Sequence, residues 1–342
     1  MQQCRRLLSR GKRTSAQRKR KALGNTFPGR LAFVDEYLQL REQALVGKSS
    51  NLLVDLGVGH TPYAALDSAR ALPLRVVAVE HNPRFVDAAR TWLDGNAATD
   101  EIDLREGSFD LPLQNHEVAH VVRVMNLFRS GYRDDEIAPA LSQIAAGVAA
   151  DGLVVDGSSS DDGSVAAVLL LRRDATSSSS SPPALVREAL LFCMQTNARG
   201  FHPRQFRTLL PRDLRFNLTP DSSVLRLFNE WGRCRDAVAA DDEACSPRQA
   251  FERTARHLAE SASEPGVALG DDDLWSRGLM LWRPPAGVPH GGLHEKRPPA
   301  ERKRSAGTGG TASTSKGALG GALGASRFGY QDETLAEECA VQ

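Results

Sequence analysis

The middle of the chain alternates short apolar runs with segments of helical periodicity, and this alternation limits the possible folds more than any other feature. The runs cover residues 52–56, 75–79, 102–105, 118–125 and 153–156. Between the second and third runs, Asn82-Pro83 supplies a helix N-cap followed by proline at the first helical position. Strands that alternate with helices predict a parallel sheet with helices on both faces.

Two further apolar runs, at 165–172 and 185–193, follow the fifth predicted strand and are separated by a polar, serine-rich segment. That segment leaves no room for a crossover helix, so these two runs are predicted to pair as an antiparallel hairpin. We therefore expect an α/β fold with a doubly wound, mostly parallel sheet of seven strands that ends in an antiparallel hairpin. The longest apolar run, 165–171, is far shorter than the roughly 20 residues that cross a bilayer, so no membrane partner is expected.

The start of the chain is strongly basic. Residues 1–34 contain ten Lys and Arg and no acid, which leaves 33 basic against 42 acidic residues in the remainder. We predict a disordered basic arm over 1–22, with three interpretations left open: a transit peptide, a general basic tail, or an RNA-binding or nuclear-import arm. The expected location is cytoplasmic, or organellar if 1–22 is a transit peptide, and the acidic remainder argues against nucleic-acid binding over the whole surface.

Composition predicts the remaining boundaries. Of the 22 residues from 305 to 326, 19 are Gly, Ala, Ser or Thr, which indicates a disordered low-complexity tail over 288–342. We expect a core domain over 23–219 and a C-terminal annex over 220–287 packed on that same domain. The five cysteines form no CxxC pair and no Cys/His cluster at metal-ligand spacing, which favours reducing surroundings and predicts no metal site.

A glycine turn directly follows the first predicted strand, in Asp55-Leu56-Gly57-Val58-Gly59-His60-Thr61-Pro62. Gly57 and Gly59 would let the backbone approach a ligand closely. A dinucleotide-binding G-x-G-x-x-G loop needs a third glycine where Pro62 stands, which disfavours an NAD-dependent dehydrogenase, and the Gly-Lys-Ser/Thr of a P-loop is missing. A tight strand-to-helix turn without a ligand is the plain alternative.

Glu80 closes the second predicted strand, 21 residues after Gly59. A carboxylate in that place can accept both hydroxyl protons of a ribose. With the D-x-G-x-G loop at Asp55 and the stretch 105–110, the chain resembles class I S-adenosylmethionine (SAM)-dependent methyltransferases, which have a Rossmann-like fold. Over approximately residues 23–285 it is similar to a group of uncharacterised bacterial SAM-dependent methylases, through 24–26, 123–129, Tyr132 and 274–278.

The resemblance implies SAM as the cofactor and gives roles to six residues. Glu80 would hold the ribose, and Asp55 would orient the glycine loop or bind the amino group. The others are Gly57 and Gly59 beside the methionine part, and Ser108 and Phe109 flanking the adenine. His60 lies in the same loop, and we expect it to border the methionine carboxylate.

Asn126, at the end of the fourth predicted strand, and Arg129 are the candidate catalytic residues on the acceptor side. Arg123, Arg129 and Tyr132 are candidates for holding an anionic or aromatic acceptor, with surface charge as the plain alternative for the arginines. We expect a SAM-dependent methyltransferase with a small-molecule or macromolecular methyl acceptor. A non-catalytic binding protein of the same fold and an RNA methyltransferase guided by the basic arm stay open as alternatives.

Overall fold

The computed structural model describes residues 26–129, 132–175, 183–219, 222–241, 245–261 and 271–284. The predicted basic arm at 1–22 and the predicted tail at 288–342 lie outside these residues. The strands are β1 (Leu52–Leu56), β2 (Arg75–Glu80), β3 (Asp103–Glu106), β4 (Ala119–Met125), β5 (Val148–Ser159), β6 (Val165–Arg173), β7 (Leu185–Met194) and β8 (Leu279–Trp282). All described residues belong to one compact unit.

These strands form one sheet in the order β3-β2-β1-β4-β5-β6-β7-β8. The five strands from β3 to β5 run parallel, with β1 paired to both β2 and β4. From β5 onward the pairs are antiparallel, so the predicted hairpin of β6 and β7 is confirmed. The chain order reverses between β1 and β4, which is the place where open α/β sheets form their ligand crevices.

The sheet has eight strands, so the predicted number of seven is wrong. The eighth is β8, which pairs antiparallel with β7. Its four residues form too short an apolar run to predict a strand by itself, and its pairing depends on contact with β7, far away in sequence. The strand comes from the segment predicted as the annex, whose boundary at residue 220 stays a prediction.

Helices connect the strands and cover both faces of the sheet. They are α1 (Ala32–Arg41), α2 (Gln43–Val46), α3 (Tyr63–Ala71), α4 (Pro83–Gly95), α5 (Asp134–Gly147), α6 (Arg204–Arg207), α7 (Arg212–Asn217), α8 (Ser223–Asp241), α9 (Pro247–Glu260) and α10 (Asp272–Ser276). Asn82 caps α4 as predicted, because its side-chain oxygen accepts the N–H of Arg84 at 3.1 Å. Pro139 lies inside α5, which begins at Asp134.

Successive side chains of β1 point to opposite faces of the sheet, and the core therefore has two layers. Val54 packs on one face, in a cluster that includes side chains of α5, α8 and α9, while Leu53 packs on the opposite face with side chains of α1, α2 and α3. The sheet is therefore doubly wound, and the carboxyl ends of its parallel strands meet along one edge. In the part of the chain that the structure describes, every helix is too short or too polar to span a bilayer.

Candidate functional site

The loop after β1 turns sharply at two glycines. Gly57 has φ of +75° and Gly59 has φ of +68°, a region in which a Cβ is strained. The N–H groups of Gly57 and Val58 both donate to the carbonyl of Val79, at 2.8 and 3.3 Å, which ties the loop to the end of β2. A Cβ on Gly57 would lie 2.9 Å from a methyl of Leu127, whereas a Cβ on Gly59 would meet nothing within 4 Å. The loop is thus open above Gly59 and closed by Leu127 beside Gly57.

Glu80 turns toward this loop. Its Oε2 accepts the N–H of Gly59 at 2.9 Å and its Oε1 accepts the N–H of Asn82 at 2.9 Å. The residue is 4% exposed, while neighbouring His81, 3.1 Å from the same Oε1, is largely exposed. Each carboxylate oxygen can accept a further hydrogen bond. Glu80 and the glycine backbone, which the sequence assigns to one SAM site, therefore lie side by side.

The end of β3 adds an aromatic cluster. Ser108 is exposed, and Phe109 is half-buried with its ring centroid 5.5 Å from that of Phe128 and 5.4 Å from that of Tyr132. Burial, with Glu80 adding to it, raises the pKa of Tyr132 above its usual value. Phe109 and Tyr132 therefore form an apolar surface in the neighbourhood of the buried acid.

Asp55 does not face the open side of the loop. It is 5% exposed, and its two carboxylate oxygens accept hydrogen bonds from Arg123, at 2.9 Å from Nε and 2.8 Å from Nη2. Arg123 is completely buried and also donates to Asp35 of α1 at 3.2 Å and to Ser68 of α3 at 2.8 Å. This geometry favours the orienting role of Asp55 over contact with an amino group. It also rules out Arg123 as a residue that touches an acceptor.

Burial raises the pKa of Asp35 to about 6, even though Arg123 and Ser68 lower it. A carboxylate that ionises near neutral pH inside the protein is costly to bury, and here Arg123 stabilises its charged form. The network therefore joins the β1 loop, α1 and α3 through one buried cation.

Asn126 and Arg129 lie in the turn that ends β4. Asn126 has φ of +61°, a strained value for a residue with a side chain. Its amide is fixed by Ser159 at the end of β5, whose N–H donates to Oδ1 at 2.9 Å. Arg129 Nη1 donates to the carbonyl of the same serine at 3.1 Å. The two candidate catalytic residues are thus held together beside the β1 loop, into which Leu127 of this turn packs.

The histidines supply no general base with a clear geometry. His60 is exposed, with its ring 6.1 Å from that of Phe85. His120 accepts the backbone N–H of Leu52 at 3.2 Å, and burial lowers its pKa. Within the described ranges, no group of three or more His, Cys, Asp or Glu side chains is arranged to hold a metal ion.

Sequence reasoning missed how two residues take part in the site. Ser159 connects the turn after β4 to β5, and nothing in its sequence surroundings distinguishes it. The pairing of Arg123 could have been predicted, because an arginine between valines in a buried strand needs a buried acid. Asp55 lies between apolar residues of β1 in the same way. The register places Asp55 opposite Arg123.

Neither a family model nor a curated protein sequence matches the chain. Several solved structures match, among them a protein from Methanococcus maripaludis assigned as a SAM-dependent methyltransferase, with 16% identity over 42% of this chain and 63% of that one, at a TM-score of 0.34. A TehB-like SAM-dependent methyltransferase from Corynebacterium glutamicum matches with 21% identity over 42% of this chain and 69% of that one, at a TM-score of 0.29.

A third match is a SAM-dependent methyltransferase from Geobacter sulfurreducens in complex with S-adenosyl-L-homocysteine. It has 16% identity over 38% of this chain and 48% of that one, at a TM-score of 0.29. The chain spans less than two thirds of the length of the first and third of these proteins. Since these likenesses are distant, the function must be argued from the chain's own residues.

Proposed function

We propose that the chain is a SAM-dependent methyltransferase that acts on a small-molecule or macromolecular acceptor. One observation carries the proposal: the buried carboxylate of Glu80 accepts the N–H of Gly59, so that an acid and an open glycine backbone lie side by side. They do so in a sheet whose order reverses next to β1, where such folds bind nucleosides.

The residues around Glu80 fit the parts of an adenosyl group. The remaining lone pairs of the carboxylate suit the two hydroxyl protons of a ribose. Phe109 and Tyr132 offer aromatic surface for a purine, and Ser108 is exposed beside them. The space above Gly59 and the exposed His60 are suited to the methionine part.

Bound SAM would supply a sulfonium whose methyl group passes to an acceptor lone pair while the electrons of the broken C–S bond stay on sulfur. The chain then has to hold the acceptor in line and exclude water, and such positioning can lower a barrier by about 7–11 kcal/mol. Asn126 and Arg129 suit that task, because both are fixed to Ser159 on the side of the loop away from Glu80. No side chain is assigned as a general base.

Calorimetric titration with SAM tests the proposal, using the full chain and the Glu80→Ala variant. Loss of a charged hydrogen-bond partner should weaken SAM binding by about 1.5–3 kcal/mol, which is roughly tenfold to more than a hundredfold in Kd. The matched control is Glu106→Ala, since Glu106 is the exposed carboxylate paired in register with Glu80 on β3. It should bind SAM like the unaltered chain.

Glu80 also holds the N–H of Gly59, so Glu80→Gln separates ligand contact from loop support. The amide keeps one acceptor oxygen but loses the charge, and we expect an affinity between those of the unaltered chain and Glu80→Ala. Equal affinity in all three proteins would remove Glu80 from the site. Failure of the unaltered chain to bind SAM would refute the function itself.

A further inference from the structure

Two arginines meet at the end of β5. Arg30 precedes α1 and donates from Nε to the hydroxyl of Ser159 at 3.2 Å and from Nη2 to the carbonyl of Ser160 at 3.3 Å. Arg129 comes from the turn after β4 and donates to the carbonyl of Ser159 at 3.1 Å. Two guanidinium groups from distant parts of the chain therefore hold one serine, which places two positive charges next to each other.

Two acids lie near Arg30, and they therefore neutralise Arg30 more than Arg129. Burial lowers the pKa of Arg30, the charge of Asp161 opposes that shift, and the charge of Arg129 adds to it. Asp162 lies on the same β5–β6 turn, and hydrogen bonds from Ser160 and Ser164 hold its pKa at about 2. The pair thus has acids on the side of Arg30.

Arg129 lacks such compensation. Throughout the ranges that the structure describes, no carboxylate lies within 4 Å of its guanidinium, and its one hydrogen bond goes to a neutral carbonyl. By contrast, Arg123 and Arg172 both pair with carboxylates. A half-buried cation beside a second cation is unfavourable unless an anion joins them.

The position of Arg129 indicates where such an anion would lie. Its turn begins at Asn126, whose strained backbone is held by Ser159, and continues through Leu127, which packs against the position of Gly57. The guanidinium therefore belongs to the β4–β5 side of the crevice, while Glu80 belongs to the β1–β2 side. An anion at Arg129 would lie beside the proposed cofactor and not on the adenosyl contacts.

We propose that the methyl acceptor carries an anionic oxygen group, a carboxylate or a phosphate, that binds Arg129 with Arg30 beside it. This inference rests on the proposed function and specifies its substrate class. A guanidinium binds such groups through two parallel N–H donors, which fixes the orientation of the bound molecule as well as its position. The acceptor atom would then be held at a set distance from the anion.

The test titrates the full chain, saturated with S-adenosylhomocysteine, with benzoate, phenyl phosphate and neutral benzyl alcohol, and follows binding by calorimetry. We expect at least one of the two anions to bind more tightly than the alcohol, and the stronger anion identifies the group. Arg129→Gln should weaken that binding at least tenfold, and Arg129→Lys should retain part of it, since it keeps the charge but not the paired donors.

Arg133→Gln is the matched control, because Arg133 is exposed four residues further on and pairs with Asp135. It should leave the anion affinity unchanged. SAM affinity, measured separately, should stay within twofold in the variants of Arg129 and Arg133. The anion site is refuted if the alcohol binds as tightly as the anions, or if Arg129→Gln still binds the anion with unchanged affinity. In either case the proposed function stands as long as the unaltered chain binds SAM. If the unaltered chain does not bind SAM, the proposed function is refuted. The anion titration, repeated without S-adenosylhomocysteine, then still decides whether Arg129 binds an anion.

Discussion

Arg123→Met should be among the most destabilising single changes in the chain. Arg123 is fully buried, and its removal leaves the carboxylates of Asp55 and Asp35 without their shared cation in the interior. Breaking a buried pair typically costs about 3–5 kcal/mol, and the upper part of that range is expected here because two acids lose one partner. Urea unfolding followed by circular dichroism measures the loss.

The pH dependence of this loss provides a sharper test. The folded-state pKa of Asp35 is raised to about 6, chiefly by burial, while Arg123 lowers it. A raised folded-state pKa means that the folded protein binds the proton more tightly, so stability falls as pH rises through that value. Without Arg123 the pKa rises further, and the deficit of Arg123→Met should therefore be larger at pH 8 than at pH 5.

Arg90→Met is the matched control, since Arg90 is an exposed arginine that pairs with Asp87 one turn away on α4. It should cost no more than about 1 kcal/mol. A second variant, Asp55→Asn combined with Arg123→Met, removes one stranded charge and should recover part of the loss. If Arg123→Met costs less than 1 kcal/mol, or if its deficit grows as the pH is lowered, the account of this network is wrong.

Two further predictions concern the glycine loop and Glu117, an acid that arginine side chains hold. Gly57→Ala and Gly59→Ala should each lower the free energy of unfolding by about 1–2 kcal/mol, because both positions have a positive φ. Gly57→Ala should cost more, since only its Cβ would meet Leu127. Adding Leu127→Ala should remove that difference, as measured by urea unfolding. Glu117, whose pKa is lowered to about 2 by hydrogen bonds from arginine, should stabilise the fold above pH 4.5 and lose that effect as the pH falls toward 2. Glu117→Gln should therefore flatten the acid side of the stability curve, whereas exposed Glu106→Gln should leave it unchanged, and parallel curves for the three proteins would contradict this.

The parallel half of the fold could be predicted because its signals are local. Apolar runs and helix caps lie within a few residues of the elements they define, and β1 has the predicted bounds of 52–56. The long strand β5 was predicted only as 153–156, because Asp151 and Gly152 interrupt its apolar pattern, although β5 begins at Val148. Antiparallel β8 could not be predicted, since its partner β7 lies more than 80 residues earlier in the chain.

The candidate site likewise has parts that the sequence could predict and parts that it could not. The meeting of Glu80 with the glycine loop follows from strand order, because parallel strands end at one edge. The inward turn of Asp55 follows from register and side-chain alternation, which the sequence specifies only after the neighbour of β1 is known. Arg30 reaches the β5 end from a segment without a strand to fix its place, so no periodicity could position it.

The strand β4 joins the two halves of the proposed chemistry. Inside the protein, its Arg123 fixes Asp55, two residues before the open turn that Glu80 faces. At its end, Asn126 adopts a strained backbone that brings Arg129 to Ser159 instead of continuing the strand. Because Arg123 and the turn at Asn126 both belong to β4, a shift of this strand would move the cofactor loop and the acceptor side together. Arg123→Met should therefore weaken SAM binding even though Arg123 touches no ligand, whereas Arg129→Gln should leave SAM binding unchanged.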